Sequence, residues 1–274
     1  MPIIIISSDS YKTGREISKK IAEATGYDYV DREILDPVTK KFNFQEGQLI
    51  KALEETPSLF GLSGRLRNGL LACIEEATVE KLLKDNVVCH GLAAHLYVLD
   101  VSHVIKVRVL SDPDKLVSQL SSEAGGPADK IEISLKNNVK KRKRWSLDAF
   151  GLDETDPSNY DMVINLSQID LDEATKNIAG MTVYRKFQPI TYSTNCLKNK
   201  NLASRARVVL MEQFPDVKVK ADGSTIVVEA KIKKRSKQKT AGMIKKLAGG
   251  INGVDYVEVH AVSDFRSGKG DLNR

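Results

Sequence analysis

The sequence predicts an α/β protein, a parallel sheet with helices on both faces joined to a small α+β domain, and three observations carry that prediction. Five short runs rich in Ile, Val and Cys recur through the first 166 residues with helical patterns between them, an alternation that implies a parallel sheet. The first run, Ile3 to Ile6, is continuous rather than alternating, as a strand buried on both faces should be. Charge also shifts along the chain: residues 191–274 carry 17 Lys+Arg against 8 Asp+Glu, a net +9, and the remainder is net −3. A change of that size marks a second domain with its own, anionic, partner.

The elements follow in order. After Ile6 a turn begins at Ser7, and from Gly14 the residues Ile17, Ile21 and Ala24 fall on one face of a helix that ends near Gly26. A strand, loop and helix opening puts free N–H groups and the positive end of a helix dipole at a strand's carboxyl end, where an anion can be held. Residues 27–30 give a second strand, and 31–35 start a helix that Pro37 disturbs. Residues 46–85 are helical with a break at Pro57, and 86–91 form a buried strand running into a Gly turn. Val104, Lys106 and Arg108 alternate with Ile105, Val107 and Val109 in the fourth strand. Asp112-Pro113 opens the next helix, residues 123–128 read as a loop, and residues 136–144 pack six basic residues into nine positions. Residues 161–166 make the fifth strand, and Asp170 with Glu173 resembles a capping box for a helix to Gly180.

Residues 181–200 show no clear period and read as an extended linker. From Leu202 to Val262 the order is α-β-β-α-β, with a turn at Asp222-Gly223, and the last dozen residues read as frayed. The expected divisions are residues 1–182, a linker at 183–200, a small domain at 201–263 and a tail at 264–274.

Composition narrows the function. At 41% apolar and 28% charged residues, the chain is an ordinary globular protein. The N-terminal apolar run stops at Ile6, too short for a secretory signal, and no stretch approaches membrane-spanning length, so a cytoplasmic location is expected. Cys73, Cys89 and Cys196 lie far apart, which argues for core thiols over a disulfide framework. His90 and His95 lack companions at ligand spacing, so no metal site is expected.

Three segments together suggest a family. Ile6-Ser-Ser-Asp-Ser-Tyr-Lys-Thr-Gly-Arg-Glu-Ile17, then Gly26-Tyr-Asp-Tyr-Val-Asp-Arg-Glu-Ile-Leu35, then Asp153 to Asn165 resemble the cytidylate-kinase-like group of P-loop proteins, over residues 1–180. The stretch from Leu202 to Val262 is similar in pattern to a BON domain, a small module linked with membrane or ligand association. The resemblance implies a nucleoside monophosphate kinase fold, with ATP and Mg²⁺ as cofactors, ATP phosphates in the first loop, an acceptor beside the second strand and a basic lid over both. On that template Ser8, Ser10, Tyr11, Lys12, Thr13, Gly14, Arg15 and Glu16 bind the cofactor. Asp31, Arg32 and His90 meet the acceptor, while Lys12 and Arg15, with Arg142 and Arg144 from the lid, supply catalytic charge. The chain departs from the template in four places. Tyr11 and Thr13 replace glycines, Gly14 stands where a cytidylate kinase has its Lys, Glu16 replaces a Mg²⁺-binding hydroxyl, and His90-Gly91-Leu92 lies where relatives show Gly-Arg-Gly. Trp145 either stacks on a base or packs in the core.

Two functions stay open. One is an ATP-dependent phosphotransferase acting on a nucleoside monophosphate. The other is a non-catalytic nucleotide sensor whose basic C-terminal domain meets an anionic partner. The basic run from Lys231 to Lys239 would meet a membrane surface or nucleic acid, and an RNA-binding protein built on that domain is a third reading.

Overall fold

The computed structural model describes residues 1–58, 61–124, 127–232 and 236–262. Lys233, Lys234 and Arg235 of the basic run, the Gly125-Gly126 step and the tail from Ser263 lie outside the described residues. The first unit runs β1 (Ile3–Ser8), α1 (Tyr11–Thr25), β2 (Asp28–Val30), α2 (Leu35–Phe42), α3 (Glu46–Glu54), α4 (Gly64–Leu82) and β3 (Val87–His90). It continues through α5 (Ala94–Tyr97), β4 (Val104–Leu110), α6 (Pro113–Ala124), α7 (Ala128–Phe150), β5 (Met162–Asn165) and α8 (Leu171–Gly180). The second unit takes α9 (Thr191–Met211), β6 (Val217–Asp222), β7 (Thr225–Lys231), α10 (Lys237–Gly249) and β8 (Tyr256–Val262).

The five predicted strands form one parallel sheet in the order β2-β3-β1-β4-β5. The isoleucines of β1 are fully buried because both faces are covered: Ile3 and Ile5 enter a core with α3, α4 and Trp145, and Ile4 and Ile6 enter one with α1 and α8. Burying a side chain of this size stabilises the fold by roughly 1.5–3 kcal/mol. Beyond the isoleucines the two faces carry different polar residues. Ser7 and Arg108 share the α4 and α7 face, whereas Ser8 and His90 share the α1 face, since successive strand residues point to opposite sides. The second unit is a three-stranded sheet, β6-β7-β8, with β6 antiparallel and β8 parallel to β7. Its own core comprises Leu202, Ala206, Leu210, Ile226, Val228 and Ile244.

Two expectations are corrected. Helix α1 begins at Tyr11, three residues before Gly14, because the Ser10 side chain accepts from the Thr13 N–H and caps the helix there. Residues 191–200 are not extended; they are the first half of α9. No single apolar stripe shows there because this helix serves two cores, Leu197 packing in the α4 core and Leu202, Ala206 and Leu210 in the second unit's. The capping box of α8 forms as predicted, with Asp170 accepting from Glu173 N–H at 2.7 Å.

Candidate functional site

Ligands of open parallel sheets bind beyond the carboxyl ends of the strands, and here those ends carry two polar clusters on opposite faces.

The first cluster lies on the α1 face. The connection from β1 to α1 is only Asp9 and Ser10. Asp9 turns away, accepting from the Ser111 backbone at 3.0 Å and from its hydroxyl at 2.6 Å. Ser8 donates to the Ser10 carbonyl at 2.8 Å and lies 3.3 Å from His90 Nε2. Gly14 is buried one turn inside α1, where a Cβ would fall 2.2 Å from Ser8 Oγ and 2.3 Å from His90 Nε2. Its role is therefore close approach of helix to sheet, not a loop that curls round phosphate.

Asp31, at the end of β2, gathers this cluster. Its carboxylate accepts from Tyr29 OH at 2.8 Å, from Arg15 Nε at 3.2 Å and from the Glu33 N–H at 3.0 Å. Burial alone would raise its pKa, but these hydrogen bonds and the Arg15 charge outweigh it and hold the carboxyl below its ordinary value. Arg15 also approaches Glu33 at 3.6 Å. The Arg32 guanidinium lies 4.2 Å over the Tyr11 ring, whose other neighbour is the His90 ring at 4.9 Å, and Arg32 pairs with Glu54. Burial pushes His90 down to about 4, aided by Arg32 and Arg15 against the opposing pull of Asp31, so it is neutral at pH 7. Burial and the Asp31 charge raise the Tyr11 phenol. The structure thus brings together Ser8, Ser10, Tyr11, Thr13, Gly14, Arg15, Asp31, Arg32 and His90. Lys12 and Glu16 are at least partly exposed on α1.

The lid residues lie elsewhere. Arg142 on α7 makes two bonds to the buried Glu154 carboxylate, donates to the Leu53 carbonyl and stacks over Trp145 at 4.1 Å. All three of its nitrogens are engaged in fixing α7 to the body. Arg144 is exposed with Lys140 and Lys143 beside a shallow concavity of about 530 Å³. Trp145 is core, its indole N–H donating to Ala52 O at 2.9 Å.

The second cluster, which sequence reasoning missed, lies on the α7 face. Arg108 donates to Ser7 Oγ at 2.8 Å, Tyr160 OH lies 3.2 Å from Ser7 Oγ and 3.1 Å from His95 Nε2, and it donates to Glu154 O at 2.7 Å. Alternation in β4 predicts only a strand, and Arg108 proves to be buried; the available signal is the place of Tyr160 in the third motif.

The residues of the β1–α1 connection do not fit a Mg²⁺-bound triphosphate. The capping hydroxyl of Ser10 is occupied by Thr13, and Glu16 sets a carboxylate, of the same sign as the phosphates, where the template has a neutral hydroxyl. Among the described residues no three His, Cys, Asp or Glu side chains come together as a metal-ligand set, and no helix is long and apolar enough to cross a membrane.

Comparison with solved structures returns proteins of low identity. An uncharacterised protein from Eubacterium ventriosum is 21% identical, covers 68% of this chain and 100% of its own, with a TM-score of 0.49. Shikimate kinase from Bacteroides thetaiotaomicron is 12% identical over 66% of this chain and 97% of its own (TM-score 0.44). Shikimate kinase from Acinetobacter baumannii, in complex with shikimate, is 13% identical over 69% and 96% (TM-score 0.41). No curated protein matches the chain. The model of the cytidylate kinase-like family matches residues 3–168, more than half of the sequence. That match settles the family: the chain belongs to the cytidylate kinase-like family.

Proposed function

We propose that the protein is a nucleotide-binding member of its family that senses a nucleoside monophosphate without phosphorylating it. One observation carries this: the β1–α1 connection is two residues long and self-capped, with Gly14 used to seat α1 against Ser8 and His90. Phosphoryl transfer works by positioning and charge on the transferring group, and a two-residue connection offers few backbone N–H groups to cradle a triphosphate. The acceptor side keeps Asp31 and Arg32 but has His90 where relatives show an Arg-containing turn. Arg15 and Arg32 are cations next to a half-exposed aromatic ring, Tyr11 being 38% exposed, and Asp31 holds Arg15 in place. ATP and Mg²⁺ are then not required for binding, and the second unit, BON-like in this reading, passes the signal to an anionic partner. The phosphotransferase reading draws on Lys12 and Arg15 as substitutes for the missing loop Lys.

Calorimetric titration with CMP and ATP, with and without Mg²⁺, beside a coupled kinase assay, separates the two. Monophosphate binding without turnover is expected. Turnover with any monophosphate acceptor sinks the sensor reading. Arg15→Ala should weaken the binding by about 1–3 kcal/mol, the range for a charge-assisted hydrogen bond; unchanged affinity would place the ligand elsewhere.

A further inference from the structure

We propose that Arg108, Ser7, Tyr160 and His95 form a binding site for a phosphate-class oxyanion, on the face of the sheet opposite α1. The starting point is charge. Arg108 is 6% exposed, and among the described residues no carboxylate lies within ion-pair distance of its guanidinium. Its cationic neighbours are matched: Arg142 by Glu154, and Lys106 by Asp161 at 3.5 Å. Arg108 donates instead to a neutral group, the Ser7 hydroxyl at 2.8 Å. Buried cations are held by a counter-charge or cost several kcal/mol, so the structure lacks a negative charge at this place.

The surroundings fit an anion. Ser7 Oγ accepts from Arg108 and lies within reach of Tyr160 OH, which leaves the serine proton to donate. His95 is buried, its Nε2 is 3.1 Å from Tyr160 OH, and its Nδ1 has no hydrogen-bond partner among the described residues. Burial first, then the charges of Arg108, Arg142 and Lys106, work against protonating it, so His95 adds no positive charge of its own here. A guanidinium fork beside the Ser7 hydroxyl suits an oxyanion with several acceptor oxygens, while Tyr160, whose own proton goes to Glu154 O, positions Ser7 and His95 around it. The site stands at the carboxyl ends of β1 and β4, where ligands of such sheets bind, and Tyr160 is the most exposed member of the set. This site is independent of the sensor reading, because inorganic phosphate alone probes it.

The full chain is titrated with inorganic phosphate in chloride buffer by calorimetry and thermal melting, and CMP is run in parallel to separate free phosphate from a phosphate ester. Wild type is expected to bind phosphate and to melt higher in its presence. Arg108→Met is expected to bind at least about tenfold more weakly, yet to melt no lower than wild type without phosphate, since it removes an uncompensated buried charge. Tyr160→Phe, which keeps the ring, is expected to weaken phosphate severalfold and serves as the test if Arg108→Met does not fold. CMP binding that survives Arg108→Met while phosphate binding is lost supports the site and puts the nucleotide at the other cluster. Failure of wild type to bind phosphate, equal binding by Arg108→Met or, where that variant does not fold, by Tyr160→Phe, or a lower melting temperature of Arg108→Met in phosphate-free buffer overturns the proposal.

Discussion

Gly14→Ala isolates the tightest point between α1 and the sheet. In an ordinary helix interior the exchange stabilises by about 1 kcal/mol, because glycine loses more backbone freedom on folding. Here the added methyl would sit 2.2 Å from Ser8 Oγ, 2.8 Å from Ser8 Cβ and 2.3 Å from His90 Nε2. Neither neighbour is a loose end: Ser8 closes β1 and His90 is a buried ring at the end of β3. Overpacking a site that cannot yield costs typically 1–3 kcal/mol, and contacts well under van der Waals distance place this case at the upper end. The expected net is a loss of about 2 kcal/mol, read as a shift in the urea midpoint at unchanged slope. His90→Ala in the same background removes one obstacle and leaves Ser8, so Gly14→Ala should cost less in that background than in wild type, a coupling that contact demands. Gly14→Ala as stable as wild type or more so would show that α1 does not sit this close, and the account of Gly14 as a seating residue would fall.

Other consequences can be measured directly. His90 and His95 are held near 4 and 3 by burial, against about 6.5 in the unfolded chain. As pH falls from 6.5 to 4 the unfolded state takes up protons that the native state refuses, so stability should drop by about 1.4 kcal/mol per pH unit for each histidine. His90→Gln should flatten that slope in urea titrations at pH 7.5, 6 and 5, and a pH-independent midpoint would contradict it. Asp31 has the opposite position: its depressed pKa supplies stability above the ordinary carboxylate range that is lost as pH falls through the folded value, so the gap between wild type and Asp31→Asn should close only below about pH 4. Glu154→Gln leaves Arg142 facing a neutral partner in a buried setting and should cost about 3 kcal/mol, with the Arg142→Met, Glu154→Leu pair less harmful than the single change. Trp145→Phe strands the Ala52 carbonyl and should cost about 2 kcal/mol by circular dichroism.

The strands are legible because a sheet covered on both faces writes itself as unbroken apolar runs, and Ile3 to Ile6 and Val87 to Cys89 do so. The cap at Ser10 is equally present in the sequence, but Gly14 reads more readily as a loop residue than as a helical one, which places the expected start of α1 three residues late. Arg108 is not legible at all. Alternation in a strand is taken to separate core from solvent, whereas β4 has helices on each side, so its polar positions are interior. Which interior groups they meet depends on a connection, residues 156–161, that is distant in sequence. His90 can be placed at a strand end; that its partners are Ser8 and Tyr11 requires the helix position. The stretch 191–200 misleads for a related reason, since a helix wedged between two cores spreads its few apolar residues around its circumference.

Helix α9 couples the two units in a mechanical sense. Leu197 is anchored in one core and Leu202, Ala206 and Leu210 in the other, and Arg207 ties its side to Glu75 on α4 at 2.7 Å. A continuous α-helix behaves as a drive shaft, turning by about 100° and advancing about 1.5 Å for each residue. One residue inserted between Leu197 and Leu202 would therefore swing the three-stranded sheet by a quarter turn and more about the shaft, while four would bring it nearly back into phase roughly 6 Å further out. The bearing of the C-terminal sheet on the rest of the molecule is thus encoded as a helical phase, to be read by counting residues.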